Sequence, residues 1–427
     1  MLTASNYRLL TGLLSPLIPL WLFWRRMKGK EDAARLRERF GFARPLRPQG
    51  MLLWLHAASV GEANSVLLLI GKIRERFPKV HILLTTGTVT SARLMEKRLP
   101  EGVIHQYAPV DTPQASLRFI RYWKPDIALW VESELWPNLV FAADYYQCFM
   151  GIINARLSER SFAAWQKHPQ LIGSMLKCFN VIFAQSEEDA RRLEQLGAKE
   201  ALCVGNLKYD AALLPCDEDK LIELQSAIAG RPVWLMASTH PGEEALGGQA
   251  HRQLSAQYPA LLTIIVPRHP ERGGAIAAEL KTQWRSAQRS KQEQVTADTQ
   301  IYIADTLGEL GLFYRLSEIV FMGGSLVKHG GQNPLEPARL SCGILTGPHT
   351  YNFQAVYKDM EAAHAVLRVK NAQELAAEAG RLLGDAEALE ALQKAARRWV
   401  ESQVGASDRL LSLLSPVLAY EPGKRSA

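Results

Sequence analysis

Cysteine is sparse and scattered: Cys148, Cys178, Cys203, Cys216 and Cys342 form no C-x-x-C pair in 427 residues. That spacing excludes a disulfide framework and a thiolate zinc site, and it suits a reducing compartment. The sequence has no H-E-x-x-H, no G-x-G-x-x-G and no G-K-[ST] phosphate loop. Internal repeats and low-complexity tracts are missing as well. Charged residues make up 22% and hydrophobic ones 47%, which excludes a disordered chain and leaves ample material for more than one core. Net charge is absent beyond residue 48. Residues 1–48 hold ten basic and three acidic side chains, an excess of +7, which is the formal charge of the whole chain. A nucleic-acid binder spreads basic residues over its binding face. Here they flank one apolar segment, so the expected partner is a membrane surface and not a nucleic acid.

That segment, LLTGLLSPLIPLWLFW (residues 9–24), is itself short. A spanning helix needs about 20 apolar residues, and Pro16 and Pro19 interrupt this one. Trp21, Phe23 and Trp24 close it, and Arg25, Arg26, Lys28 and Lys30 follow at once. Aromatic residues favour the membrane–water boundary, and the basic cluster favours the anionic cytoplasmic leaflet. A cleavable signal peptide carries its positive charge before the apolar run and ends in an A-x-A-like site. Only Arg8 precedes this run, and no such site follows. The expectation is an N-terminal membrane anchor, either spanning or lying in the plane of the interface.

Beyond residue 50, short apolar runs alternate with amphipathic segments, the pattern of parallel sheets wrapped by helices. Strands are expected at Leu52–His56, His81–Thr85, Val103–Tyr107, Asp126–Val131, Cys148–Asn154, Val181–Ala184 and Leu202–Val204. The polar stretch 206–220 breaks the pattern. It resumes with Val233–Ala237, Leu262–Val266, Gln300–Ile303, Glu318–Phe321 and Gly343–Leu345. Residues 283–299 read as a loop insertion and 373–415 as helical. The expected fold class is therefore α/β, two doubly wound halves joined near residue 210. In such sheets ligands bind beyond the carboxyl ends of the strands, so the strand-to-helix loops are where chemistry is expected.

Five constellations fall in those loops. LHAASVGEAN (55–64) follows the first strand and carries small residues and Glu62. As a general base, Glu62 needs a pKa above the ordinary ~4.3; as a plain helix-start carboxylate it complements the dipole. WVESELWPNL (130–139) places Glu132 and Glu134 two apart, so an extended backbone projects both to one side. They are either an acid/base pair or partners of nearby cations. GNLKYD (205–210) sets Lys208 at the junction of the halves, where it can meet a carboxylate or phosphate. VPRHPER (266–272) offers Arg268 as a bidentate fork for phosphate, with His269 as a second donor in a proline-stiffened turn. GGSLVKHGGQNPLEPA (323–338) contains two glycine pairs that would expose backbone N–H groups, then Asn333 as a helix cap and Pro334 as first helical residue. An anion site at that helix start is expected, with Glu336 accepting from ribose hydroxyls.

Taken together, HAASVGE, WVESELWPN, INARLSERSF (153–162), GNLKYD, ASTHPGEE (237–244), VPRHPER, GGSLVKHGGQNPLEPA and GPHTYNF (347–353) resemble the Kdo transferases, in that family's order and across nearly the whole chain. The resemblance implies a GT-B fold, two Rossmann-like domains facing a central cleft. It implies CMP-Kdo as donor, lipid IVA as acceptor, inversion at the sugar centre, no cofactor and no required metal. It gives residues 1–30 as anchor and basic flank, 31–210 as the acceptor domain and 211–427 as the nucleotide-sugar domain, with the last helices packing back on the first. Glu62 becomes the base, and Glu132 and Lys208 take transition-state roles. Arg268, His269, Gly308, Glu309, Leu310, Asn333, Pro334, Leu335 and Glu336 contact the nucleotide; Gly308, Glu309 and Leu310 rest on the resemblance alone. The implied location is the cytoplasmic side of the cell inner membrane. The rival readings are a membrane-associated GT-B transferase using a UDP- or GDP-sugar, a sugar-nucleotide epimerase, and a non-catalytic membrane scaffold.

Overall fold

A computed structural model describes residues 2–210, 213–228 and 230–420. The expected domain boundary at residue 211 lies outside them. Two compact units emerge, one of Met1–Ala211 with Val404–Ala427 and one of Ala212–Gln403.

The first unit is built on a parallel sheet of β1 (Leu52–His56), β2 (His81–Thr86), β3 (Ile104–Tyr107), β4 (Ile127–Val131), β5 (Phe149–Ala155), β6 (Val181–Ala184) and β7 (Leu202–Cys203), in the order β3-β2-β1-β4-β5-β6-β7. Its central strands are apolar along their whole length because both faces are covered. Leu52 and Trp54 of β1 join Ala128 and Trp130 of β4 in one core. Leu53 and Leu55 join Ile127, Leu129 and Val131 on the opposite face. The helix Ala406–Leu418 belongs to that second core, contributing Ala406, Leu410, Leu411, Leu414 and Leu418. Its start is fixed by Asp210, whose carboxylate accepts the Gly405 N–H at 2.6 Å and the Ser407 N–H.

In the second unit, β8 (Val233–Thr239), β9 (Leu262–Pro267), β10 (Ser286–Gln288), β11 (Ile301–Ile303), β12 (Ile319–Met322), β13 (Gly343–Thr346) and β14 (Leu367–Arg368) form a parallel sheet ordered β10-β11-β9-β8-β12-β13-β14. The stretch read as a loop, 283–299, contains the edge strand β10. Asp305, just past β11, fastens the chain beyond that strand by accepting from Gln288 Nε2 (2.7 Å), the Ser290 N–H (2.9 Å) and Ser290 Oγ (2.7 Å). Each sheet has a point where successive strands pass from one side of its first strand to the other. The switch lies between β1 and β4 in the first and between β8 and β12 in the second, and at such a point the flanking loops diverge and leave a crevice.

The amino terminus forms α1 (Ala4–Leu14) and α2 (Ile18–Met27), parted by a 3-10 turn at Ser15–Leu17 that holds Pro16. Among the described residues no helix is long and apolar enough to cross a membrane. One face of α1 instead binds the first unit: Tyr7 Oη donates to Asp111 (3.0 Å), Asn138 Nδ2 to Thr11 Oγ1 (2.9 Å) and Ser15 Oγ to Gln114 (3.2 Å). Leu13, Leu20 and Met27 remain about 70% exposed. Arg25 and Lys28 lie over the rings of Trp21 and Trp24.

Candidate active site

In the first unit the candidate residues gather at the switch point. Ser59 caps the helix Val60–Ser65, and the Glu62 carboxylate reaches back to the residues at that cap. Ser59 Oγ donates to Glu62 Oε1 at 2.6 Å and accepts from the Glu62 N–H at 3.3 Å, while the Ala58 N–H donates to Oε2 at 2.8 Å. Glu62 is only 6% exposed. Burial raises its pKa above the ordinary carboxylate range; the Ser59 bond opposes this, and the charges of Glu134 and Glu132 add to it. A carboxylate so placed is both a helix cap and a stronger base than a solvated one.

Glu132 follows β4 directly. Its backbone is left-handed (φ 61°) instead of extended, so the expected alignment of Glu132 with Glu134 does not occur. Non-glycine residues hold that conformation at an energetic cost, and such sites cluster where function demands them. The turn separates the two carboxylates: Glu132 pairs with Lys208 Nζ at 2.5 Å, and Glu134 accepts from the Trp136 indole at 2.8 Å. Burial raises the Glu134 pKa, the indole bond lowers it, and Glu132 raises it again. Lys208 is presented by the turn Leu207–Asp210, which Asn154 (φ 52°, at the end of β5) anchors by accepting the Leu207 N–H at 2.9 Å.

The second unit corrects one expectation outright. The backbone N–H groups around Gly323 and Gly324 are not free to bind a phosphate, because Glu243 occupies them. Its fully buried carboxylate accepts from the N–H groups of His240 (2.9 Å), Gly324 (2.6 Å), Ser325 (3.0 Å) and Leu326 (3.0 Å). The Gly331 N–H is likewise engaged, donating to Gly324 O at 2.8 Å, and Gly330 is closely packed, since a Cβ there would lie 2.5 Å from Asn352 Nδ2. GPHTYNF is thus a clamp on this loop, with Tyr351 Oη donating to Lys328 O (2.9 Å) and Asn352 Nδ2 to His329 O (2.9 Å). The helix after it is a single turn, Leu335–Arg339, with Pro334 in the cap position. Asn333 sits one residue further out and accepts the Leu335 N–H at 3.1 Å.

Arg268 and His269 are exposed at the end of β9. Arg268 acts electrostatically on both Glu336 and His240. Glu336 has its pKa raised by burial, against the Asn333 hydrogen bond and Arg268. Gly308 has φ 84° with open space where a side chain would stand. The Glu309 carboxylate is held by Arg289 Nε (2.5 Å) and Nη2 (2.7 Å), by Thr306 Oγ1 and by Lys220 Nζ (3.1 Å). Arg289 above all pulls its pKa down to about 2, so any ligand contact of Glu309 is left to its backbone. Leu335 is buried and Leu310 begins the helix Leu310–Leu316.

A family model described as 3-deoxy-D-manno-octulosonic-acid transferase (kdotransferase) matches residues 34–211. The chain is 37% identical over 425 residues to a 3-deoxy-D-manno-octulosonic acid transferase of Haemophilus influenzae, covering 96% of this chain and 98% of that one. With the enzyme of that name from Rickettsia bellii it shares 35% over 370 residues, covering 86% and 88%. The chain belongs to the Kdo transferase family. This Kdo transferase is a glycosyltransferase. Its two Rossmann-like lobes share their fold with a glycosyltransferase from Rickettsia africae, at a TM-score of 0.57 and 12% identity over 89% of this chain and 100% of that one.

Several residues of this candidate site escaped sequence reasoning. Glu243 and Glu244 stand in ASTHPGEE, but nothing local shows that one fills a loop 80 residues away. Nor does it show that the other takes Arg272 through both oxygens (2.8 and 3.0 Å) and Thr239 Oγ1 at 2.7 Å. Arg289 lies in the stretch dismissed as insertion. The histidines His240 and His329 were in quoted motifs without a role; their shared position at adjacent strand ends was the available signal.

Proposed function

We propose that the enzyme transfers Kdo from CMP-Kdo to lipid IVA with inversion, Glu62 acting as general base. The observation that carries this reading is Glu62 itself, a buried carboxylate of raised pKa at the switch point of the first sheet. The acceptor hydroxyl gives its proton to Glu62 as its oxygen attacks the anomeric carbon, and the bond from that carbon to the phosphate oxygen breaks with its electron pair passing to phosphate. Glu132 and Lys208 hold the charge that develops at the sugar, and a preorganised pair costs no reorganisation at that moment. CMP is held by Arg268, His269, the backbone at Gly308, Glu309 and Leu310, and the segment Asn333, Pro334, Leu335, Glu336. CMP is a good leaving group, so the reaction needs no metal. The exposed apolar side chains of α1 and α2, followed by the basic cluster, support contact with the cytoplasmic face of the inner membrane, where a lipid acceptor resides.

The experiment is incubation of purified protein with CMP-Kdo and lipid IVA followed by mass measurement of the lipid. Wild type is expected to add Kdo; Glu62→Gln is expected to keep its fold and CMP affinity while losing transfer. Unimpaired turnover in that variant would remove Glu62 from the base role. Thermal stabilisation by UDP or GDP in place of CMP would move the enzyme to another donor.

A further inference from the structure

Three histidines end three neighbouring strands of the second sheet. His240 follows β8, His269 follows β9, and His329 lies in the loop after β12. His240 and His329 therefore flank the switch point. Their rings stack with centroids 3.8 Å apart and 23° between planes, and His269 stands edge-on to His240 at 6.1 Å. Gly324 allows this: a Cβ there would meet His240 Cδ2 at 3.0 Å.

The charges around the stack do not cancel. Arg268, Arg272 and His269 surround His240 together with His329. Of the carboxylates nearby, Glu243 is filled by four backbone N–H groups and Glu244 by Arg272 and Thr239. Glu271 stands 3.6 Å from His269, and Glu336 interacts electrostatically with Arg268. Burial, then the flanking cations, hold His240 neutral with a pKa of about 4. The Gln332 amide lies 3.1 Å from His240 Nε2. With that amide as donor, the neutral ring carries its proton on Nδ1, which has no hydrogen-bond partner among the described residues. One buried neutral donor, two exposed imidazoles and one exposed guanidinium thus lie together, with Glu271 beside His269 as the exposed carboxylate.

We propose that the His240–His329 stack is the seat of the leaving phosphate and selects for its second negative charge. This rests on the nucleotide-donor reading above. In the donor the phosphate is a diester with one charge. When the anomeric carbon–oxygen bond breaks, the bonding pair stays on the phosphate oxygen and the group becomes a dianion, while the acceptor's proton goes to Glu62. A dianion beside His329 favours the imidazolium form of that ring. The imidazolium lies over the neutral His240, whose Nδ1–H donates to the same phosphate. The interaction is stronger after bond cleavage than before, which is the condition for it to speed the reaction.

The test uses full-length protein and calorimetric titration with three probes: CMP, the 5′-methyl phosphodiester of cytidine, which keeps a single charge, and cytidine. Wild type should prefer CMP over the methyl diester by about ten- to a hundredfold, the size of a charge-assisted contact. His329→Ala and His329→Gln, at an exposed position, should lose that preference, with cytidine affinity and thermal stability unchanged. An unchanged preference in both variants, or none in a wild type that transfers Kdo from CMP-Kdo, overturns the proposal alone. A wild type that neither binds cytidine nor transfers from CMP-Kdo overturns the donor reading with it.

Discussion

Replacing Glu243 by alanine tests whether the glycine loop is a preformed ligand cradle or an internally filled one. The carboxylate is fully buried and accepts four backbone N–H groups, so its removal strands four donors. Each buried unsatisfied group costs about 1–3 kcal/mol. The four belong to one network, so their costs are not additive. A total of about 4 kcal/mol, near the upper end for a single substitution, is expected. Glu243→Gln keeps one carbonyl oxygen but turns an NH2 group toward the other pair of donors, and about half that loss is expected. For a unit of this size each kcal/mol lowers the melting point by about 2–4 °C, so the alanine variant should melt about 8–16 °C lower. Tryptophan fluorescence during thermal and denaturant unfolding reports it, since Trp234 lies in the core of this unit. An alanine variant within about 2 °C of wild type would show that water serves the loop as well as Glu243 does, and the filled-nest account would fail.

His251 offers a pH experiment. Burial holds it neutral, with a pKa of about 4 against an ordinary 6.5. The unfolded chain therefore binds a proton between pH 6.5 and 4 that the folded one does not, and stability falls as pH falls through that window, at about 1.4 kcal/mol per pH unit from this group. Stability measured against pH should be shallower by that slope in His251→Gln; an unaltered slope refutes the assignment. Asp210→Ala should free the start of the helix Ala406–Leu418 at a cost of about 1–2 kcal/mol and speed proteolysis near Val404; unchanged cleavage would count against the tether. For the membrane, Leu13→Asp with Leu20→Asp should abolish binding to anionic vesicles and leave the melting point unchanged, because both side chains face solvent. Deleting the segment is a poorer test, since Tyr7 packs into the core of the first unit. Retained vesicle binding in the double variant would locate the contact elsewhere.

The parts of this fold that were readable from the sequence are those whose cause is local. LLWLH, IALWV and LTIIVP are predominantly apolar because both sheet faces are covered, and β1, β4 and β9 lie within a residue of their expected places. Strand β10, Ser-Ala-Gln, has no such run; it forms because β11 pairs with it and Asp305 pins the residues after it. The left-handed turn at Glu132 has no composition signal, and it undid an argument that assumed an extended backbone. Gly324, Gly330 and Gly331 take the positive φ that paired glycines suggest, but the carboxylate that fills the loop at the first pair comes from another strand end. Proximity of Glu62 to Glu132 and Glu134 followed from topology, through the β1–β4 neighbourhood, and not from any motif.

The helix Ala406–Leu418 has a bearing on how the protein is made. Its five core side chains complete the hydrophobic layer against Leu69, Ile70 and Ile73 of the first unit, yet the ribosome adds them only after the whole second unit. The second unit, an unbroken stretch of chain, can finish folding while the first still waits with an open apolar face. Loss of residues 406–418 would therefore damage the lobe synthesised first and spare the one synthesised second.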